Sequence, residues 1–192
     1  MQALFVSTGI VALAEIGDKT QLLAFVLAAR FKRPLPIIMG ILVATLLNHG
    51  LAGALGSLLP SVFNPQVLTW ILAVSFLLMA GWMMIPDKLD EEGLELPRYG
   101  VFVTTLIAFF IAEMGDKTQI ATIALAAQYD AFWSVVIGTT LGMMLANVPA
   151  VLVGGRLANK LPVRLVHSIA ACIFAILGLL ALWQALRTTG WF

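Results

Sequence analysis

Glu15-Ile16-Gly17-Asp18-Lys19-Thr20-Gln21 returns 98 residues later as Glu113-Met114-Gly115-Asp116-Lys117-Thr118-Gln119, and each copy is embedded in a long apolar stretch. A charge in such a place costs about 2.5–3.5 kcal/mol on insertion scales. Six of them, in two matched sets, are kept for something other than packing. Charges buried in apolar helices in this way point to ion passage.

The flanks of the motif decide the class. Of 192 residues, 61% are hydrophobic and 11% charged, and the mean hydropathy is +1.01. Soluble domains carry about 25% charged residues, so the composition is that of an integral membrane protein. A net charge of +1 exerts no pull toward nucleic acid. The single cysteine, Cys172, excludes an internal disulfide and a multi-cysteine metal site, and in its apolar run it reads as a small packing residue. The first apolar segment has no basic leader and carries the motif, so it reads as a retained span.

About 20 apolar residues cross the hydrocarbon core. Six stretches qualify, at roughly 3–29, 35–59, 66–86, 100–127, 131–156 and 164–187, separated by proline-containing or polar breaks. The first and fourth exceed 25 residues, so tilt or a local break is expected there. The repeat extends beyond the motif. Ten of sixteen positions from Ala14 to Ala29 match those 98 residues on, Gly40 and Ala44 recur as Gly138 and Gly142, and Phe76 recurs as Phe174. The expected fold is all-α, with six transmembrane helices in two three-helix repeats, 1–86 and 100–192, joined by an acidic linker at 87–99. An odd number of spans per repeat inserts the second half upside down. Such inverted repeats place substrate near the midplane where the halves meet.

Basic residues set the orientation. Arg30, Lys32, Arg33, Lys88, Arg98, Arg156, Lys160 and Arg164 fall in the first, third and fifth loops, against Arg187 alone on the opposite side. Eight against one puts those loops in the cytoplasm. Both termini are then expected outside, periplasmic for a bacterial inner membrane. The linker acids Asp87, Asp90, Glu91, Glu92 and Glu95 read as a solvated connection rather than a metal sensor.

Residue 16 centres the first span, and residue 114 lies close to the centre of the fourth. On a continuous helix Glu15 and Asp18 share one face, as do Glu113 and Asp116. Facing pairs would give four carboxylates in one cavity, an oxygen-rich set suited to Mn²⁺ or Ca²⁺ alike. Thr20, Gln21, Thr118 and Gln119 would add oxygens as ligands or supports. Gly17 and Gly115 are expected to let helices approach, or the backbone loosen. Four carboxylates and two lysines sum to −2, which one divalent cation or two protons would neutralise. Lys19 and Lys117, four residues after Glu15 and Glu113, are the expected charge partners of the emptied site. The cation is cargo, exchanged for protons, and no resident cofactor is expected. The plain alternative is a buried ion pair that only clamps helices. Two copies, each with an added aspartate, exceed what a clamp needs, because apolar packing serves stability better.

Asn48, His49 and Asn147 lie on the second and fifth spans, with Asn147 at the position equivalent to His49. Asn48 and Asn147 read as ligands or as hydrogen-bonding supports of the carboxylates, against interhelical bonding alone. His49 reads as a support before a ligand. Met114 reads as packing, His167 as interfacial, and Pro149 as a kink in the fifth span.

Paired E-x-G-D-K-[ST] motifs in a small six-span chain resemble the uncharacterised protein family 0016, or Gdt family, which includes bacterial MneA-type manganese exporters and Golgi Ca²⁺/Mn²⁺ transporters. The resemblance covers nearly the whole chain. Both copies of the motif are intact, at Glu15, Gly17, Asp18, Lys19, Thr20 and at Glu113, Gly115, Asp116, Lys117, Thr118. It implies Mn²⁺ or Ca²⁺ export coupled to protons or another cation, and the short form looks like the bacterial, Mn²⁺-exporting members. Three rival readings exist. An intramembrane aspartyl protease would need glycine where Glu15 and Glu113 stand, and would leave both lysines without a role. An exporter of amino-acid-type solutes would be stabilised by solute rather than by metal, and a structural assembly factor is the third; metal flux in proteoliposomes separates all of them.

Overall fold

In a computed structural model of the chain, the structure describes residues 1–85, 100–153 and 163–188. They form eight helices: α1 (Gln2–Glu15), α2 (Lys19–Phe31), α3 (Pro34–Val62), α4 (Pro65–Trp82), α5 (Val101–Glu113), α6 (Lys117–Tyr129), α7 (Phe132–Val153) and α8 (Val163–Thr188). The acidic linker lies outside the described residues, as do Lys88, Arg98, Arg156 and Lys160. Four helices, α3, α4, α7 and α8, are long and apolar enough to cross a membrane, while α1 and α5 are shorter apolar helices. Large apolar side chains face outward, among them Leu47, Leu51, Leu55, Leu145 and Leu180. In water such a surface would be an aggregation liability; in lipid it is solvated.

The first and fourth sequence-predicted spans are each broken in two at the motif. Helix α1 stops at Glu15, Ile16 is extended, and Gly17 turns through φ +85° before Asp18 caps α2. Helix α5 stops at Glu113, Met114 is extended, and Gly115 turns through φ +73° before Asp116 caps α6. A side chain at such φ crowds its own backbone, which is why glycine occupies both turns. This corrects the reading of one continuous helical face for each acid pair. It also corrects the close-approach role for Gly115, because nothing lies within 4 Å of where its side chain would start. Prolines act less as breaks than expected. Pro34 and Pro65 open helices, whereas Pro60 and Pro149 lie inside α3 and α7.

Helices pack across the two halves. Gly138 and Gly142 on α7 seat α1: a Cβ on them would stand 2.7 Å from the Leu4 carbonyl oxygen and 2.6 Å from that of Thr8. Gly40 on α3 seats α5 in the same way, with a Cβ 2.7 Å from Thr105 Cβ. Helices α4 and α8 pack together, and Phe76 meets its repeat counterpart Phe174 with ring centroids 6.3 Å apart. Two apolar clusters result, one around Ile10, Phe76, Leu125 and Phe174, the other around Leu27, Ile41, Phe109 and Val151. Each mixes residues of both halves. At one end of the molecule Lys32, Arg33 and Pro34 share a pocket of about 280 Å³ with Val151, Leu152 and Val153, so the α2–α3 junction lies beside the end of α7. Cys172 is exposed on α8 rather than packed inside.

Candidate metal centre

The helix breaks decide where the acids go. A glutamate ending one half-helix is free to turn inward, and an aspartate at the N-cap of the next sits against unpaired backbone N–H groups and the positive end of a helix dipole. Glu15 and Glu113 are fully buried, and Asp18 and Asp116 are 2% exposed. Glu15, Glu113 and Asp116 each bring one carboxylate oxygen within 4.8 Å of the others. The cluster joins the two halves of the chain. Of the four acids expected in one cavity, these three converge, and Asp18, although buried, is outside the group. The Gly17 turn separates Asp18 from the helix that carries Glu15.

Hydrogen bonds hold the glutamates in matched ways. The Thr20 hydroxyl donates to Glu15 Oε2 at 2.5 Å, and the Thr118 hydroxyl donates to Glu113 Oε2 at 3.0 Å. Glu15 Oε1, Glu113 Oε1 and Asp116 Oδ2 are buried with no hydrogen-bond donor among the described residues. Buried carboxylate oxygens without a donor are expensive unless a cation or a proton meets them. Lys19 supplies one cation. Its Nζ lies 3.3 Å from Asp116 Oδ1, across the interface between halves. The i,i+4 pairing with Glu15 expected from sequence is thus replaced by a bridge to the other motif. Lys117 is 2% exposed and donates to the Ile85 carbonyl at 3.2 Å.

The two glutamines serve the backbone. Gln21 Oε1 accepts from the Gly17 N–H at 2.8 Å, and Gln119 Oε1 accepts from the Gly115 N–H at 2.7 Å. Each amide oxygen, expected near an ion, thus braces a turn. Their NH₂ groups then reach the other half at equivalent positions. Gln21 donates to the Ala146 carbonyl at 3.0 Å, and Gln119 donates to Asn48 Oδ1 at 2.8 Å. Asn48 in turn donates to the Phe110 carbonyl at 2.9 Å, one turn before Glu113. Asn147 donates to the Met143 carbonyl and sulfur at 3.1 and 2.9 Å. His49 Nε2 stands 3.8 Å from Glu113 Oε2. Met114 is 60% exposed, whereas the clustered acids are buried. Sequence reasoning did not find Ile85, Phe110 and Ala146, which contribute only carbonyls. For Ala146 the available signal was its repeat offset from Asn48.

A cluster of oxygens with one removable cationic side chain can bind a divalent ion by exchanging Lys19 for it. Comparison with known proteins bears on the class of cargo. The family described as "Divalent cation/proton antiporter GDT1" matches the chain twice, over residues 3–91 and 101–189. A Vibrio cholerae protein named "Putative manganese exporter" is 54% identical over 180 residues, covering 93% of this chain and 90% of its own. A GDT1-like protein of Synechocystis is 31% identical over 193 residues, covering 91% and 93%. GDT1-like protein 3 of Oryza sativa is 29% identical over 198 residues, covering 90% and 70%. No solved structure matches. Membership of the GDT1 family of divalent cation/proton antiporters, which are transporters rather than enzymes, follows for this chain.

Proposed function

We propose that this protein exports Mn²⁺, with Ca²⁺ as the other cargo its oxygen ligands suit, from the bacterial cytoplasm across the inner membrane in exchange for protons. The observation that carries the reading is the convergence of Glu15 from one half with Glu113 and Asp116 from the other, their oxygens within 4.8 Å. The Vibrio cholerae relative's name favours manganese.

In this reading α1–α2 and α5–α6 are two broken spans, giving six crossings in two inverted repeats with the breaks at the midplane. The domain division at 1–86, 87–99 and 100–192 goes with it. Support comes from the double match of one family to the two halves and from the reciprocal packing of α1 on α7 and α5 on α3. Metal enters from the cytoplasm and displaces Lys19 from Asp116. The halves then rock, metal leaves outward, and protons take its place on the carboxylates, because a buried cluster of like charges is too costly to leave uncompensated. Protons released inward reset the carrier. Asp18 and Lys117 complete the charge balance of the path.

The test is flux in vesicles containing the purified protein. Mn²⁺ uptake should be driven by an imposed pH gradient, should move protons the other way, and should vanish in Asp116→Asn. Flux indifferent to the gradient would make the protein a uniporter; no divalent flux at all would end the proposal.

A further inference from the structure

Position 49 breaks the chemical symmetry of the two halves. Its repeat counterpart is Asn147, and both side chains are fully buried. Asn147 spends its NH₂ group on Met143 and keeps Oδ1 without a hydrogen-bond partner. His49 keeps both ring nitrogens without one. One half therefore offers a bare amide oxygen where the other offers a bare imidazole nitrogen. A buried histidine normally donates from one nitrogen and accepts at the other. Here Nε2 is 3.8 Å from Glu113 Oε2, too far for a hydrogen bond. Two ligand atoms on one metal ion, each about 2.1–2.4 Å from it, stand roughly 3–4.5 Å apart. That gap to Glu113 suits a shared ion, although His49 stands outside the 4.8 Å group that Glu15, Glu113 and Asp116 form.

We propose that His49 is a nitrogen ligand of the transported cation and sets its class, favouring a first-row transition-metal dication over Ca²⁺. This rests on the carboxylate site proposed above. Carboxylates do not separate Mn²⁺ from Ca²⁺, since both take oxygen. Ca²⁺ ligand sets are built of oxygen, whereas imidazole is a ligand of the d-block ions. One nitrogen on one side of the cluster is enough to tilt that balance. The pairing of a neutral amide at 147 with an imidazole at 49 leaves the carboxylate charge count untouched, so selectivity and charge balance are set by different residues.

The test uses the full-length protein purified in nanodiscs and loaded with Mn²⁺. Electron spin-echo spectroscopy of the bound ion should show a directly coordinated nitrogen. That signal should disappear in His49→Asn, which makes the halves alike, and in His49→Gln, the second variant should the first not fold. Mn²⁺ affinity should fall roughly tenfold or more in both, with Ca²⁺ affinity changing less than about twofold. A residue that only props the fold would not move the nitrogen signal. Mn²⁺ bound without nitrogen, or with a nitrogen signal that survives both substitutions, overturns the assignment. If that bound Mn²⁺ is still lost in Glu113→Gln, the carboxylate site stands without His49. If the wild type binds no Mn²⁺, both readings fall.

Discussion

Thr20 and Thr118 each fix one oxygen of the glutamate five residues back and leave the other bare. That division of labour separates the effects of two substitutions. Glu15→Gln or Glu113→Gln keeps shape and removes charge, so Mn²⁺ flux should fall at least about tenfold while thermal stability holds or rises, because a costly buried charge has gone. A fall in stability equal to the loss of flux would instead mark the glutamates as structural. Thr118→Val removes one hydrogen bond to a charged group, worth about 1.5–3 kcal/mol; Mn²⁺ affinity should weaken by less than in Glu113→Gln, read by calorimetry. The sequence identified these residues through the 98-residue offset, which needs no knowledge of geometry. It did not show that Asp18 would stand apart or that Lys19 would reach Asp116. Both depend on where the backbone turns, and the carbonyls of Ile85, Phe110 and Ala146 leave no mark on side-chain pattern.

Element length signalled a break, but spacing hid its consequence. The first and fourth apolar stretches were too long for one straight crossing, yet the i,i+3 argument for Glu15 and Asp18 assumed an unbroken helix. Gly17 and Gly115 end that helix, and the glutamines brace the new turns at 2.8 and 2.7 Å. Gly17→Ala and Gly115→Ala should each cost about 1–3 kcal/mol through strain at positive φ. Nothing lies within 4 Å of a Cβ at Gly115, so the penalty there is conformational and not a clash. Melting temperature in nanodiscs measures the cost, and Mn²⁺ binding should weaken in both variants because the acids lose their aim. Alanine variants as stable and as tight-binding as the wild type would mean that the turns are incidental. Gly40, Gly138 and Gly142 were legible as small-residue contacts from their repetition alone, although the helices they seat, α5 and α1, come from the opposite half and were not.

At the scale of the whole chain, the argument for orientation is electrostatic. In the six-span reading eight basic residues fall in the first, third and fifth loops, against Arg187 on the opposite side. Four of the eight lie in segments outside the described residues, but the shared pocket of Lys32 and Arg33 with Val151, Leu152 and Val153 puts the α2–α3 junction beside the end of α7. The first loop and the last described turn of α7 therefore lie at the same end of the molecule. Helix α4 begins at the other junction, where the Asn64 side chain accepts from the Val67 N–H at 2.8 Å. Two cysteine probes read the result once the exposed Cys172 is replaced in Cys172→Ala. In intact cells Glu92→Cys, in the linker, should resist an impermeant thiol reagent and react only after the membrane is opened. Phe63→Cys, at the α3–α4 junction, is 37% exposed and should react from outside. The reverse pattern would invert the protein in the membrane. Alternating access would survive that result, since the carboxylate cluster is reached from either side in turn. So would proton-driven export, because the direction of an exchanger follows the metal and proton gradients and not the way round its chain sits in the membrane.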